Sequence, residues 1–154
     1  MTTVYVDLDD TICNYSGRYR ELKHKLMPYP QQYHWFYSGV IPMEGAVKSL
    51  DMLMKDDLVD LYILTAPSTP NLSTYTGKAK WVKDNLGEEY LENMIICSDK
   101  SLLRGDILVD NNIKGKGQEN FKGILIKHTN WLDTLHKIYL EIWGLALRTL
   151  EFTT

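Results

Sequence analysis

Residues 4–11 read VYVDLDDT, a short apolar run followed at once by carboxylates and a threonine. Similar apolar runs recur at residues 61–64, 94–97, 107–109 and 124–126. These runs are apolar throughout and do not alternate with polar residues, which is typical of strands buried on both faces of a parallel sheet. Residues 4–11 therefore predict the first strand of such a sheet, with polar groups at its exit.

Segments with helical periodicity lie between and after these runs. Apolar residues recur at helical intervals in residues 46–54, 81–86 and 131–142. Asn130 is a candidate N-cap for the last of these helices, and Gly87 is a candidate C-cap for the second. Strands that alternate with helices indicate an α/β fold, here a doubly wound, Rossmann-like parallel sheet flanked by helices.

The stretch from about residue 15 to residue 42 fits neither pattern. The chain contains ten tyrosines, four tryptophans and three phenylalanines, and seven of these aromatic residues lie between Tyr15 and Tyr37. We interpret this stretch as a small, mainly helical cap, inserted after the first strand of a single domain that spans residues 1–154.

The composition excludes several classes of protein. A hydrophobic fraction of 44% with a net charge of −3 is unlike a disordered chain. The 17 basic and 20 acidic residues form no basic cluster, so we expect no nucleic-acid polymer as a partner. No apolar stretch approaches the ~20 residues that span a bilayer, and the N-terminus lacks the features of a signal peptide. We therefore expect a cytoplasmic protein without a membrane partner, with the oligomeric state open and a homodimer among the options.

The ligand site of an open parallel sheet lies beyond the carboxyl ends of its strands. The polar residues that follow the apolar runs are Asp7, Thr65, Ser98, Asp99 and Asp110. Carboxylates gathered at one edge repel each other unless a cation lies among them, and hard oxygen ligands of this kind suit Mg²⁺. The sequence therefore predicts a magnesium site at this edge of the sheet.

Two pairs of acidic residues require an assignment. Asp7 and Asp9 lie two apart on an extended chain and so point the same way, which allows one to act as nucleophile and the other as proton donor; the alternative is an acidic turn after the strand. Asp106 and Asp110 lie at opposite ends of the fourth strand, separated by roughly 13 Å at ~3.3 Å per residue. We assign Asp110 as the metal ligand and Asp106 as a cap or turn residue.

Three further residues are suited to holding an anion. Thr65 offers a hydroxyl and Ala66 a backbone N–H at the end of the second strand, and Lys78 lies at the start of a helical stretch. Taken singly, each also fits an ordinary structural role, as a strand terminus or a solvated lysine.

In their order along the chain, these residues resemble the four motifs of the haloacid dehalogenase (HAD) superfamily of phosphohydrolases. Residues 7–11, DLDDT, match its first motif (DxDxT) after an apolar strand, and Thr65, Lys78 and Asp110 match the second, third and fourth motifs. A narrower resemblance is to the 5′(3′)-deoxyribonucleotidase family. It rests on residues 42–46 (PMEGA), 63–67 (ILTAP), 78–82 (KAKWV), 99–100 (DK) and 106–110 (DILVD).

This resemblance implies a Mg²⁺-dependent phosphomonoester hydrolase that acts through an aspartyl-phosphate on a nucleoside monophosphate, a small-molecule substrate. It implies Asp7 as the nucleophile, Asp9 as the acid and base, and Mg²⁺ held by Asp7, Asp110 and the backbone carbonyl of Asp9. Thr65 and Lys78 would hold the phosphoryl oxygens, and Lys78 would also oppose the negative charge around Asp7.

The resemblance also implies contacts with the rest of the substrate. Lys100 matches a lysine that approaches the phosphate, and Tyr15 matches an aromatic residue that helps to hold the base. Stacking on an aromatic side chain contributes roughly 1–3 kcal/mol per base, so we also expect Phe36 and Tyr37 to contact it. The sequence departs from the family at Ser98, where arginine is often found, and at Asn111, where a second aspartate is found.

Two alternatives remain at this point. One is a HAD phosphatase for another small phosphomonoester, such as a sugar phosphate. The other is a receiver-like, phospho-accepting signalling domain, which also uses an acidic pair, an aspartate, a threonine and a lysine on an α/β sheet. The phosphorylated aspartate of a receiver ends a strand after the acidic pair, and no aspartate between Asp10 and Thr65 has that position.

Overall fold

The strands form one parallel sheet. A computed structural model describes residues 1–25 and 27–153 of the chain. The five strands within these residues are β1 (Thr2–Val6), β2 (Val59–Thr65), β3 (Met94–Ile96), β4 (Ile107–Asp110) and β5 (Ile124–Lys127). Their order in the sheet is β3-β2-β1-β4-β5, and all neighbouring pairs are parallel. The fold class predicted from the apolar runs is confirmed.

The helices of the described residues are α1 (Tyr15–Lys23), α2 (Ala46–Lys55), α3 (Ser73–Asn85), α4 (Glu88–Glu92) and α5 (Trp131–Thr153). Short 3₁₀ helices span Pro30–Gln32, Phe36–Gly39, Lys100–Leu102 and Gln118–Asn120.

The ends of these helices test three expectations. Asn130 caps α5, because its Oδ1 accepts the N–H of Asp133 at 2.9 Å. Gly87 follows α3 with a φ of +120°, a conformation that favours glycine. The expectation that Lys78 opens its helix was wrong. The helix already begins at Ser73, after a turn in which the Thr74 hydroxyl donates to the Asn71 carbonyl (2.8 Å), so Lys78 lies within it.

Two apolar clusters cover the two faces of the sheet. Val4 and Val6 belong to the larger cluster, and Tyr5, which points to the opposite face, belongs to the smaller one. The buried apolar side chains of α2, α3 and α5 all belong to the larger cluster, whereas Leu103 and Phe121, on the connections around β4, close the smaller one. The long helices therefore lie against one face, and short 3₁₀ connections cover the other.

Two buried indoles fix the surroundings of the exit from β1. Trp131 Nε1, at the start of α5, donates to the Thr11 carbonyl at 2.8 Å. Trp81 Nε1, in α3, donates to the Val40 carbonyl at 2.8 Å. The segment between β1 and α2, which carries α1 and two of the 3₁₀ helices and is called the cap below, is thereby tied to α3. None of the helices in residues 1–25 and 27–153 has the length and apolar character needed to cross a membrane.

Candidate active site

Three of the predicted site residues meet at the carboxyl edge of the sheet. Asp7 directly follows β1, Thr65 ends β2 and Asp110 ends β4. The Asp7 N–H donates to the Val109 carbonyl at 2.9 Å, which joins the exits of β1 and β4. The chain adds strands on one side of β1 before β4 and β5 return to the other side, so these exits flank the point where ligands bind in doubly wound sheets.

A tight turn after Asp7 positions the second carboxylate. The Leu8 carbonyl accepts the N–H groups of Ile12 (2.9 Å) and Cys13 (3.0 Å). Asp10 adopts a left-handed conformation with a φ of +62°, and its carboxylate accepts the Ser16 N–H at 2.8 Å. An acidic side chain suits this position, because aspartate tolerates the left-handed region and bonds to nearby backbone.

The strand-end cluster consists of Asp7, Asp110 and Lys100. Lys100 Nζ lies 2.8 Å from Asp7 Oδ1 and 2.7 Å from Asp110 Oδ2. The side chains of Lys100, Asp7 and Asp110 are only 2%, 9% and 1% exposed. Burial raises the pKa of Asp7 above that of an ordinary aspartate, and the Lys100 ammonium partly offsets this. Burial acts to lower the pKa of Lys100, but its two carboxylate partners raise it overall. The ammonium therefore stays charged between them.

The cap-side cluster consists of Asp9, Lys78 and Tyr37. Lys78 Nζ lies 3.1 Å from Asp9 Oδ2 and 3.0 Å from Thr65 Oγ1, and it also donates to the Ala66 carbonyl. The Tyr37 hydroxyl donates to Asp9 at 3.0 Å from Oδ1 and 3.2 Å from Oδ2. Of the two lysines, Lys78 thus contacts Asp9, and Lys100 contacts Asp7.

A polar cavity of about 370 Å³ opens between the two clusters and the cap. Its volume lies in the range of small-molecule sites. All but one of the predicted site residues line it, namely Asp7, Asp9, Tyr15, Tyr37, Thr65, Ala66, Lys78, Lys100 and Asp110. Phe36 is the exception, because it is fully buried and packs its ring against Tyr15 and Tyr37. The structure therefore gives Phe36 a packing contact in place of the expected contact with substrate.

Other polar residues at this cavity were missed by sequence reasoning. Gln118 is buried, and its Nε2 donates to Asp110 Oδ2 at 3.1 Å. The Asn112 N–H donates to Asp110 Oδ1 at 2.9 Å. Lys116 also lines the cavity. These residues lie on the loop after β4, and the glycines at 115 and 117 are the local signal that this loop turns back, since both have positive φ.

The residues of the strand-end cluster fit a divalent cation. Asp7 and Asp110 already converge on one positive group, and their oxygens are hard ligands. No set of three or more His, Cys, Asp or Glu side chains in the described part of the chain is arranged to hold a metal ion. The chain would thus supply the carboxylates of Asp7 and Asp110 and the backbone carbonyl of Asp9. So few protein ligands suit an ion that keeps waters and binds a substrate phosphate.

Asn111 lies where the resembled family has aspartate, and its side chain contacts Asp7 and the Asp9 carbonyl, two of the groups that would hold the cation. In the amide orientation that satisfies both of its ends, Asn111 Nδ2 donates to Asp7 Oδ2 at 3.0 Å and to the Asp9 carbonyl at 3.1 Å. The Thr11 hydroxyl also donates to Asp7 Oδ2, at 3.3 Å. Neutral donors thus hold the oxygen of Asp7 that Lys100 does not contact.

Comparison with known proteins identifies the family. The profile of the family described as 5′ nucleotidase, deoxy (pyrimidine), cytosolic type C protein matches residues 21–141, which include Thr65, Lys78, Lys100 and Asp110. The chain belongs to this family. The resemblance to deoxyribonucleotidases is thereby confirmed, and the receiver-domain alternative is not supported.

Individual relatives agree with the profile. Uncharacterized protein R758 of Acanthamoeba polyphaga mimivirus is 30% identical over 141 residues, which cover 88% of this chain and 70% of that protein. The human cytosolic-type 5′(3′)-deoxyribonucleotidase is 30% identical over 86 residues, 54% of this chain and 42% of the human protein. The 5′(3′)-deoxyribonucleotidase of Clostridium acetobutylicum is 26% identical over 143 residues, 79% of this chain and 78% of that enzyme. The aligned segment thus spans less than half of the human relative.

Proposed function

We propose that the protein hydrolyses nucleoside monophosphates, as a 5′(3′)-deoxyribonucleotidase of the cytoplasm. The observation that carries this proposal is the pairing of two carboxylates with two lysines on one cavity: Asp7 beside Lys100, and Asp9 beside Lys78. A phosphomonoester needs a nucleophile, a proton donor for its leaving oxygen and positive charge around its phosphoryl oxygens. The family of the chain and the names of its relatives point to the same chemistry.

The reaction follows from the two carboxylates. A carboxylate oxygen of Asp7 attacks phosphorus, the bond to the ester oxygen breaks, and Asp9 gives its proton to the leaving alcohol. Water then attacks the phosphorus of the aspartyl-phosphate, Asp9 takes a proton from that water, and phosphate leaves as the Asp7 carboxylate is restored. Thr65 and Lys78 bind the phosphoryl oxygens, and Lys100 supplies positive charge next to Asp7.

The cation that we propose for this site is Mg²⁺, held by Asp7, Asp110 and the backbone carbonyl of Asp9. It would supply positive charge between the nucleophile and the phosphate. The chain's own contribution is to keep Asp110 in place, through donors from Gln118 and Asn112.

The aromatic wall of the cavity supports a nucleotide as substrate. Tyr15 is half-buried, lines the cavity, and packs at 5.1 Å from Phe36 and 6.2 Å from Tyr37 between ring centroids. A ring that is fixed by its neighbours and keeps one side open is suited to stacking on a base. We therefore propose Tyr15 as the residue that contacts the base.

The test is a substrate panel. The purified protein is assayed for phosphate release from dUMP, dTMP, the matching ribonucleotides and glucose 6-phosphate, with Mg²⁺ and after chelation. We expect the highest kcat/KM for the deoxyribonucleotides, with activity lost on chelation and regained with Mg²⁺. Equal or higher kcat/KM for the sugar phosphate would replace the nucleotide proposal by the sugar-phosphate alternative, and activity that survives chelation would exclude the cation site.

The nucleophile is tested with a matched pair of variants. Asp7→Asn should lower kcat at least about a thousandfold, because an amide cannot form the aspartyl-phosphate. Asp106→Asn is the control: Asp106 lies at the opposite end of β4, where it accepts the Thr3 N–H at 2.8 Å, and an amide oxygen can still do so. Comparable activity in the Asp7→Asn and Asp106→Asn proteins would contradict the assignment of Asp7.

A further inference from the structure

Tyr37 joins the cap to the carboxylate that we assign as acid and base. It lies in the 3₁₀ helix Phe36–Gly39, is 3% exposed, and its hydroxyl straddles both oxygens of Asp9 at 3.0 and 3.2 Å. A phenol that donates to both oxygens of a carboxylate restricts rotation of that carboxylate about the Cβ–Cγ bond of the aspartate. The contact is therefore more specific than the ring contact expected of a residue that only packs against substrate.

The phenol itself has little freedom. A Cβ added at Gly77 would lie 2.8 Å from Tyr37 Cδ2, so α3 reaches the ring only because residue 77 is glycine. On its other sides the ring meets Phe36 edge-on, with centroids 5.3 Å apart, and Tyr15 at 6.2 Å. The position of the hydroxyl is thus set by packing of the cap against α3.

Asp9 needs such a constraint more than Asp7 does. Its side chain is 25% exposed, and the other groups on it are Lys78 Nζ, 3.1 Å from Oδ2, and Cys13 Sγ, 3.6 Å from Oδ1. In the proposed reaction Lys78 also serves the phosphoryl group, through its contact beside Thr65. The Tyr37 hydroxyl has no such second assignment in that reaction.

We propose that Tyr37 is a positioning residue for Asp9: its hydroxyl holds the carboxyl group in the orientation from which it protonates the leaving oxygen. This inference rests on the proposed function, and it differs from the sequence prediction that Tyr37 contacts the base. It makes the cap part of the proton-transfer machinery, since removing one oxygen atom from the cap would misplace a group at the sheet edge. Small displacements of a reacting group have large effects on rate.

The leaving group distinguishes this role from a structural one. A nucleoside alkoxide is a poor leaving group and needs a proton from Asp9 as the phosphorus–oxygen bond breaks. The phenolate of para-nitrophenyl phosphate leaves without one. A change that only weakens phosphate binding alters both substrates, whereas a misplaced Asp9 slows the nucleotide selectively. A lost base contact also slows the nucleotide alone, but its effect is independent of Asp9 and therefore additive with the loss of Asp9.

The experiment compares kcat/KM of Tyr37→Phe and wild type for dUMP and for para-nitrophenyl phosphate, because kcat/KM reports the step in which the leaving group departs. We expect a decrease of roughly tenfold with dUMP and less than about twofold with the aryl ester. Tyr90→Phe is the matched control: it also removes a hydroxyl bonded to a carboxylate, Asp51 at 2.6 Å, but does not line the active-site cavity. It should change neither value.

A double-mutant cycle and a second variant complete the test. In an Asp9→Asn background, Tyr37→Phe should cause no further loss with dUMP, because the group that it positions is gone. Gly77→Ala keeps the hydroxyl but crowds the ring, and it should give the same selective loss on a smaller scale, even if Tyr37→Phe does not fold. Equal losses for both substrates, or full additivity in the cycle, overturn the positioning role alone. A wild-type protein that hydrolyses neither ester overturns the proposed function as well.

Discussion

The two carboxylates of the candidate site are separated by one residue in the chain but are held in different ways. Asp7 belongs to the strand-end cluster, where its partners Asp110 and Lys100 are almost completely buried at the sheet edge. Asp9 belongs to the cap-side cluster, is partly exposed, and is held by Lys78 from α3 and Tyr37 from the cap. The sheet thus fixes one carboxylate, and the cap and a helix fix the other.

This difference separates two functions within one cavity. A nucleophile must be in place before any substrate arrives, and the paired strand exits provide that. An acid must meet a leaving oxygen whose position depends on the substrate, and the cap that carries Tyr37 also carries Tyr15, which we propose as the base contact. Substrate choice and proton transfer therefore share one structural element, whereas phosphoryl attack depends on another.

The largest effects on stability and activity are expected when the two buried lysines, Lys100 and Lys78, are replaced in turn. Lys100→Met leaves Asp7 and Asp110 buried without their cation, so we expect the free energy of unfolding to fall by about 3–5 kcal/mol, with activity lost. Lys78→Met leaves only the partly exposed Asp9, so activity should fall about a hundredfold or more while stability falls by about 1 kcal/mol or less. Urea denaturation without metal and phosphate release with Mg²⁺ measure the two effects.

The control for both variants is Lys80→Met. Lys80 lies on the exposed side of α3, in an ion pair with Asp84 at 2.9 Å, and its removal should cost below about 1 kcal/mol with normal activity. Added Mg²⁺ should stabilise the Lys100→Met protein more than wild type, because the two carboxylates then lack a competing ammonium. Equal stability of the Lys100→Met and Lys78→Met proteins would show that the two clusters are not held differently.

The strand-end carboxylates could be predicted from sequence because strand exits are fixed by a short-range pattern. Asp7, Thr65 and Asp110 each end or follow an apolar run, and parallel pairing alone brings such residues to one edge. Asp106 was likewise placed correctly at the opposite end of β4, where it accepts the Thr3 N–H.

The lysines and the cap aromatics could not be predicted in the same way. A lysine side chain is long enough to reach several carboxylates, and no local pattern says that Lys78 reaches Asp9 while Lys100 reaches Asp7. Phe36 and Tyr37 are neighbours in a 3₁₀ helix and both are buried, and one residue of rotation decides which of them lines the cavity. Gln118 reaches Asp110 through a loop whose path depends on tertiary packing.

A smaller effect is expected for Tyr15, the proposed base contact, and it tests whether the cap takes part in choosing the substrate. Tyr15→Ala should raise KM for dUMP about tenfold, which corresponds to the loss of one stacking contact. For glycerol phosphate, which has no base, KM should not change. Steady-state kinetics on the two substrates provide the measurement.

Phe36→Leu serves as the comparison for Tyr15→Ala. Phe36 is fully buried beside Tyr15, so this variant should lower the unfolding temperature and leave the ratio of the two KM values as in wild type. A Tyr15→Ala protein whose KM rises equally for glycerol phosphate would assign Tyr15 to packing and remove it from the substrate site.

The smallest effect is expected at His128, which follows β5 at the same edge of the sheet but is buried without carrying charge. Its Nδ1 lies 2.8 Å from Thr134 Oγ1, its ring packs 5.0 Å from that of Trp131, and burial lowers its pKa. The unfolded chain therefore binds a proton more readily than the folded one, so this residue's contribution to stability is full above about pH 6.5 and is lost as the pH falls below it.

His128→Gln should flatten that part of the profile of unfolding free energy against pH, whereas His136→Gln, at an exposed position of α5, should leave it unchanged. Parallel profiles for wild type and His128→Gln would mean that His128 contributes nothing to the acid sensitivity of the fold.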